Sequence, residues 1–204
     1  MRRLFLLLIL APFLVHAQIG IKAGANFANV TSASQVNPGN RAGFVAGLYL
    51  APNTKGIIGS RTELLFSRQG YSYASGTTTG NVNLNYLVIP QFMTINITKF
   101  VQIQLGGQMA FLLNAKADSS AASGPKMPYG NVMGYYNKFD YGFGGGVELH
   151  PVGGWIIGAR YNISLGKIYS SMMTGQMPSF SASDAKNNVF QVFTGWTFGG
   201  NRKK

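Results

Sequence analysis

The groups that could perform acid–base or nucleophilic chemistry are few in this sequence. Its 204 residues include two histidines, five acidic residues and no cysteine. A hydrolytic site needs a base beside its nucleophile, yet His16 lies in the apolar N-terminal stretch and His150 stands beside Pro151. Without cysteine there is neither a thiolate nucleophile nor a cysteine metal site. We therefore expect no enzymatic activity, no metal and no cofactor.

Two of the five acidic residues instead occupy one face of a strand-like pattern. In 139–149, aromatic and aliphatic residues alternate with Asp140, Glu148 and three glycines. Successive side chains of a strand point to opposite faces, so one face is apolar and the other is small and acidic. Similar alternation places four further charged residues, on other segments, on the corresponding face. We expect a charge network in the lumen of a barrel, formed by Lys22, Arg61, Glu63, Asp140, Glu148 and Arg160.

Eight strand-like segments follow one another, separated by turn residues, and seven of them show this period-two alternation, which is the signature of a transmembrane barrel. Segment 84–95 is apolar on both faces, so its register is not predicted, and Pro90, which has no amide hydrogen, predicts a bulge. The connections alternate between long and short, as in bacterial outer-membrane barrels. The fold class is therefore all-β, an eight-stranded antiparallel up-and-down transmembrane β-barrel. The segments are 19–28, 41–50, 57–69, 84–95, 101–114, 139–149, 155–165 and 190–198.

The N-terminus predicts export. Arg2 and Arg3 precede a short apolar run, and Val15-His16-Ala17 is a small-x-small cleavage site. We expect a signal peptide over 1–17 and an outer-membrane β-barrel domain over 18–204. No later stretch reaches the roughly 20 apolar residues of a membrane helix, so a membrane protein of this sequence must be a closed barrel. The predicted location is the outer membrane of a Gram-negative cell.

Aromatic residues fall near the predicted strand ends, where amphipathic rings meet the membrane interface. A secreted soluble barrel of lipocalin type is the alternative, but it would place apolar residues inside and polar ones outside. Here the charged and amide residues share a face with the glycines, which suits a cramped lumen. The candidate interface aromatics are Phe44, Tyr71, Phe100, Phe139, Trp155, Trp196 and Phe198.

Five short sequences in chain order resemble the PorT-like outer-membrane β-barrel family, itself similar to small OmpA/OmpX-type barrels. The resemblance implies an outer-membrane barrel and, from the name-giving members, an accessory role in protein secretion to the cell surface. The family pattern usually has an acidic residue where this sequence has Val88. The five are GIKAGANFA (20–28), ELLFSRQG (63–70), YLVIP (86–90), DYGF (140–143) and ARYN (159–162).

The lumen charges lead to two functional hypotheses. Eight strands enclose a space that side chains can fill, and Glu63 and Arg160 both fall near mid-strand, where they could meet. In the first hypothesis the paired charges form a plug, and the protein is a structural, adhesion or secretion-accessory component acting through its extracellular loops. In the second, the lumen is a narrow channel for ions or small solutes.

The predicted outer loops could also supply contacts. Methionine gives an adaptable apolar surface for a partner, and loop lysines could meet lipopolysaccharide phosphates. No basic run or basic–aromatic module indicates nucleic acid. We expect membrane lipid, lipopolysaccharide and an envelope or secretion-machinery protein as partners of a monomeric barrel. The methionines are Met127, Met133, Met172, Met173 and Met177.

Overall fold

The architecture is a nearly all-antiparallel β-structure. We analysed a computed structural model, which describes residues 17–31, 37–52, 56–75, 78–121, 127–170 and 184–198. The predicted signal peptide thus lies almost entirely outside the described residues. The strands are β1 (Ala17–Thr31), β2 (Arg41–Pro52), β3 (Ile58–Ser75), β4 (Thr78–Asn96), β5 (Val101–Ala121), β6 (Met127–Asn131), β7 (Phe139–Leu149), β8 (Trp155–Ser164) and β9 (Lys186–Thr197).

Eight of these strands close into a ring. Each pairs with its neighbours along the chain, β5 pairs with β7, and β1 closes the ring by pairing with β9. The predicted eight-stranded antiparallel barrel is therefore confirmed. The ninth strand, β6, is a short addition that pairs with β5 beyond the ring. Among the residues described, no helix has the length and apolar character to cross a membrane.

The side-chain pattern of the barrel is apolar outside and polar inside. Phe143 on β7 is 59% exposed, whereas Arg160 on the adjacent strand is 1% exposed. Outward-facing aliphatic and aromatic side chains recur on every strand of the ring. A soluble lipocalin-like barrel would show the inverse arrangement, so the structure excludes that alternative.

The two ends of the barrel differ in their connections. At one end, short connections join β2 to β3, β4 to β5 and β7 to β8, and we call it the short-turn end. The first strand of the ring, β1, begins at this end, and the last strand, β9, finishes there. At the opposite long-loop end, strands run further than the alternation predicts. The sequence pattern predicts a loop over 70–83, but β3 and β4 continue as a paired hairpin to Ser75 and Thr78. The two strands stay paired through this segment. Tyr71, Tyr73 and Val82 there still point into the lumen, so the alternation of inward and outward side chains continues.

Strand β4 has its even-numbered residues inside, including Val82, Val88 and Phe92. The bulge predicted at Pro90 is wrong, because the register does not shift there. The shift lies where Asn85 pairs with Asn114 and the next residue of β4 pairs with Leu112. One extra residue, Leu113, therefore stands in β5, which is the two-against-one count of a β-bulge.

The lumen holds two zones of buried side chains. Polar and charged groups occupy the part toward the short-turn end, and we call these residues the charged zone: Lys22, Arg61, Glu63, Gln104, Glu148 and Arg160. Aliphatic and tyrosine side chains occupy the part toward the long-loop end. This tyrosine zone includes Leu65, Tyr71, Tyr73, Val82, Leu84, Tyr86, Val88, Leu112, Tyr136 and Tyr169.

Candidate functional site

The charged zone is built around Glu63 on β3. Its carboxylate accepts two hydrogen bonds from Arg160, from Nη1 at 2.8 Å and Nη2 at 2.9 Å. Lys22 on β1 donates a third bond from Nζ to Oε2 at 3.1 Å. Both partners reach Glu63 across the lumen, because β1 and β8 are not neighbours of β3 in the ring. The bidentate arginine fork fixes the geometry of the contact as well as its charge.

A second carboxylate, Glu148 on β7, organises the rest of the zone. Arg61 donates to both of its oxygens, with Nη2 at 2.8 Å from Oε1. Gln104 Nε2 donates at 2.9 Å, and His150 Nε2 lies 3.1 Å from Oε1 at the edge of the lumen. Gln104 also accepts from Arg160, which joins the two carboxylate clusters. The zone therefore spans strands from both sides of the barrel.

Aromatic rings cover the cations of this zone. Lys22 Nζ lies 3.6 Å from the centroid of the Phe193 ring, and the Arg160 guanidinium carbon lies 4.0 Å from that of Phe92. Arg61 lies over Tyr49 at 4.6 Å. A cation over an aromatic face is attracted by the ring quadrupole, more strongly when water is excluded. Three cations and two carboxylates meet here, so the aromatic faces help to offset one excess positive charge.

Asp140 faces the lumen but does not join this zone. Ser164 donates a hydrogen bond to its Oδ2 at 2.6 Å, and the Tyr141 amide donates to Oδ1 at 2.8 Å. Eight residues of strand separate Asp140 from Glu148, which is about 26 Å at roughly 3.3 Å per residue. The expectation of one network of six charges is therefore wrong for Asp140, since strand geometry places it near the long-loop end.

Little space remains between these side chains. A Cβ added to Gly146 would lie 2.8 Å from the Cα of Arg160, so β7 needs glycine there. Between Arg160 and Val88, the positions open to the centre of a water molecule fill about 10 Å³. A cavity of that size holds about one water. The side chains beside Arg160 are therefore closely packed.

The tyrosine zone joins loop residues to the barrel wall. The Tyr71 hydroxyl lies 2.9 Å from that of Tyr136 and also bonds that of Tyr169. Tyr136 follows the short 3₁₀ helix Met133–Tyr135, and Tyr169 lies in the connection after β8, where the two backbones form a bridge. Burial raises the pKa of Tyr169 from 10.0 to about 12. Parts of two loops thus fold into the barrel mouth.

Most of the candidate interface aromatics lie on the outside of the barrel. Tyr71 does not: it is 0% exposed, and its place among the interface aromatics is wrong. Odd-numbered residues of β3 point inward, and that alternation continues past Gly70 to Tyr71 and Tyr73. The six outward aromatics are each 42–51% exposed: Phe44, Phe100, Phe139, Trp155, Trp196 and Phe198.

The methionine candidates are only partly described. Met133 packs, half-buried, against the tyrosine zone. Met127 begins β6, without a description of its side chain. Met172, Met173 and Met177 lie outside the described residues. Among the residues that the structure does describe, no group of three acidic or histidine side chains is placed to hold a metal ion.

Sequence reasoning did not single out the aromatic partners of the cations or the contact of His150. The lumen faces of β2, β4 and β9 hold Tyr49, Phe92 and Phe193. Because large apolar residues also cover the outward faces, residue type alone did not distinguish these inward aromatic residues. For Tyr49 and Phe193, the parity of the adjacent strand residues could have located them. For Phe92 it could not, because β4 is apolar on both faces.

Comparisons with known proteins agree with this architecture. Residues 15–170 match the family model described as outer membrane protein β-barrel domain. The attachment invasion locus protein Ail of Yersinia pestis has a similar fold, with 18% identity, a TM-score of 0.51, and coverage of 90% of this chain and 100% of Ail. Neisserial surface protein A gives 14% identity, a TM-score of 0.49 and coverages of 89% and 99%. A search of curated proteins gave no match.

The family match extends over more than half of the chain, and the ring of eight strands with its apolar exterior is the fold of small outer-membrane barrels. The expected location in the outer membrane is therefore confirmed. This chain belongs to the outer membrane protein β-barrel domain family.

Proposed function

We propose that the chain is an integral outer-membrane barrel with a closed lumen, acting through its outer end as a structural or adhesion component. The observation that supports closure most directly is the charged zone, where Glu63 bonds strands β1 and β8 across the barrel. Beyond it, the buried tyrosine zone fills the opposite half. In an eight-stranded barrel, side chains are large enough to occupy the interior completely.

Conductance of the folded protein in a planar bilayer tests the closed lumen. We expect no steady open state from the wild type. A double variant, Glu63→Ser with Arg160→Ser, removes the bidentate ion pair that crosses the lumen and should produce measurable openings. A matched variant, Asp140→Asn, leaves the charged zone intact and should behave like the wild type. Large, steady conductance from the wild type would favour the narrow channel instead.

The outer end is the part of the molecule that fits adhesion. In outer-membrane barrels the long loops face outward and the short turns face the periplasm. Exposed basic side chains surround the long-loop end, and Lys167 pairs with the exposed Asp184 at 2.7 Å. A surface with excess positive charge attracts phosphate and sulfate groups, and the attraction weakens with salt. The basic residues are Arg68, Lys116, Lys138 and Lys167.

We therefore propose lipopolysaccharide phosphates or other anionic glycans as the ligands of this end. Binding of the vesicle-reconstituted protein to immobilised heparin and to lipopolysaccharide should fall steeply as salt rises. The double variant Lys116→Gln with Lys138→Gln should weaken binding to both. A control at the opposite end, Lys99→Gln, should bind as the wild type does. Salt-independent binding, or equal loss in the control, would contradict an electrostatic ligand site.

A secretion-accessory role rests on the resemblance to PorT-like proteins and not on the geometry. It predicts an envelope protein partner that crosslinks to the long-loop end or the short-turn end. A pull-down of the folded protein from outer membranes, after crosslinking, tests it. Recovery of the barrel alone would remove this role from the proposal.

A further inference from the structure

Gln91 is an amide side chain on the outside of the barrel. It lies on β4, where even-numbered residues point inward and odd-numbered residues point outward. Gln91 pairs with Thr62 of β3 on one side and with Gly107 of β5 on the other. Its side chain is exposed. In a membrane barrel, that exposed surface faces lipid.

The position of Gln91 is central in the lipid-facing band. On β4, two apolar outward residues, Leu87 and Ile89, precede it and two, Met93 and Ile95, follow it. The outward face of β5 runs from Val101 to Leu113. Gly107 is the middle residue of that run. An apolar band of such a barrel is about 25 Å tall, so Gln91 is far from both interfaces.

The hydrogen bonds of Gln91 are incomplete. Thr62 Oγ1 donates to its Oε1, but its Nε2 group has no acceptor among the residues that the structure describes. An unpaired amide in hydrocarbon costs several kcal/mol by order of magnitude. Thr194, an outward threonine on β9, shows the contrast. Its hydroxyl accepts from Trp155 Nε1 at 2.7 Å and donates to the Ile156 carbonyl at 3.0 Å.

The surface beside Gln91 is also flat. A Cβ added to Gly107 would meet nothing closer than the Gly142 carbonyl oxygen at 3.7 Å, an ordinary contact. The barrel itself therefore does not require glycine at Gly107. The inward neighbour is different, since a Cβ at Gly106 would lie 2.7 Å from the Phe92 Cα. Small residues beside a polar one are the features that allow close approach and hydrogen bonding between proteins within a membrane.

We propose that the β3–β4–β5 face docks a second copy of this chain within the membrane, with the two Gln91 side chains paired across a two-fold axis. Both copies insert in the same orientation, so the axis lies along the membrane normal and every residue meets its counterpart at equal depth. A primary amide is self-complementary, because each Nε2 donates to the partner's Oε1. Gly107 leaves room for that approach. The expected monomer is thereby replaced by a dimer.

Single cysteines can locate the contact, since the chain has no cysteine of its own. We would introduce Ile89→Cys on β4 and, as a matched control, Val192→Cys on β9, which is four strands away around the ring in either direction. Both sites face outward within the apolar band. The purified proteins would be reconstituted in lipid vesicles at high dilution and oxidised. We expect disulfide-linked dimers from Ile89→Cys only. Equal crosslinking of both sites, or of neither, would overturn the proposal.

Two further substitutions test the chemistry of the contact. In the Ile89→Cys protein, Gln91→Leu removes the amide, and Gly107→Leu fills the flat surface. Each replaces a lipid-facing residue by an apolar one, so folding, checked by heat-dependent gel mobility, should be unaffected. Each should lower the dimer yield by about tenfold, the scale of one or two hydrogen bonds within a membrane. An unchanged yield in both variants would exclude a contact through Gln91, and dimers found only in native membranes would indicate a different partner protein.

Discussion

The two zones of the lumen are built from different kinds of contact. In the charged zone, a few directional contacts reach across the barrel, such as the paired bonds from Arg160 to Glu63. In the tyrosine zone, many apolar contacts fill the space, and residues of two loops enter it through Tyr136 and Tyr169. The charged zone depends on each charge having its partner. The tyrosine zone depends on volume.

This difference predicts unequal tolerance of mutation. Removing one partner of a buried ion pair leaves the other charge unpaired, whereas a small change of shape in a packed cluster is partly relaxed. In the charged zone, stability should therefore depend on how a substitution changes the charge. In the tyrosine zone, it should depend on the size and polarity of the new side chain. Stability is measurable by urea unfolding in phospholipid vesicles, with tryptophan fluorescence as the signal.

The largest effect is expected from Glu63→Gln. This change leaves Lys22 and Arg160 without their carboxylate, and should lower the free energy of unfolding by about 3–5 kcal/mol. The matched variant Lys22→Met removes the excess cation instead, and leaves two arginines with two carboxylates. It should cost less than about 1 kcal/mol, because apolar replacement of a buried charge is often neutral. Similar losses in both variants would show that charge balance does not govern this zone.

A carboxylate placed in the lumen should next distinguish the part of the tyrosine zone that adjoins the charged zone from the part that does not. Val88 lies across the small cavity from Arg160, at the position where the PorT-like pattern usually has an acid. Val82 is 0% exposed inside the tyrosine zone. Unfolding measurements should show Val82→Glu to be less stable than Val88→Glu by about 2 kcal/mol, since an opposite charge within reach stabilises a carboxylate on that scale. Equal stability would place both sites in one environment.

A smaller effect is expected from Tyr71→Phe. The variant keeps the ring but loses the hydroxyl that bonds both Tyr136 and Tyr169. Two neutral hydrogen bonds contribute about 1–3 kcal/mol to the free energy of unfolding. Protease cleavage of the outer loops should become faster at the same time, because the bonds hold loop residues in the mouth. The control Tyr135→Phe alters a 40% exposed tyrosine and should change neither measurement by much.

The smallest effect on stability is expected from the ionisation of Tyr169, which occurs only at alkaline pH. Burial raises its pKa from 10.0 to about 12. A raised folded-state value means that its contribution to stability is fully present below pH 10 and is lost as the pH rises through about 12. Difference absorbance of tyrosinate in wild type and Tyr169→Phe should therefore differ mainly near pH 12. Titration of the missing group near pH 10 would contradict its burial.

Alternation along the strands predicted the ring of eight and the inward positions of Lys22, Arg61 and Glu148. It works because successive side chains of a strand point to opposite faces, so assigning one residue to the lumen assigns the face of every other residue in that strand. It failed for Tyr71, where the predicted loop hid a continuing strand. Strand length also separates Asp140 from Glu148, but the partner of Asp140, Ser164, was not predicted, because partner choice depends on the strand stagger of the closed ring.

The extra residue Leu113 in β5 shifts the phase of that strand. Before it, even-numbered residues such as Leu112 face the lumen; after it, Ala115 and Ala117 do. The shift keeps Lys116 on the exterior at the height where the strand leaves the apolar band. If β5 paired without this bulge, unbroken alternation of the same sequence would turn Lys116 into the tyrosine zone. One inserted residue thus decides whether a positive charge meets lipid headgroups or the packed interior.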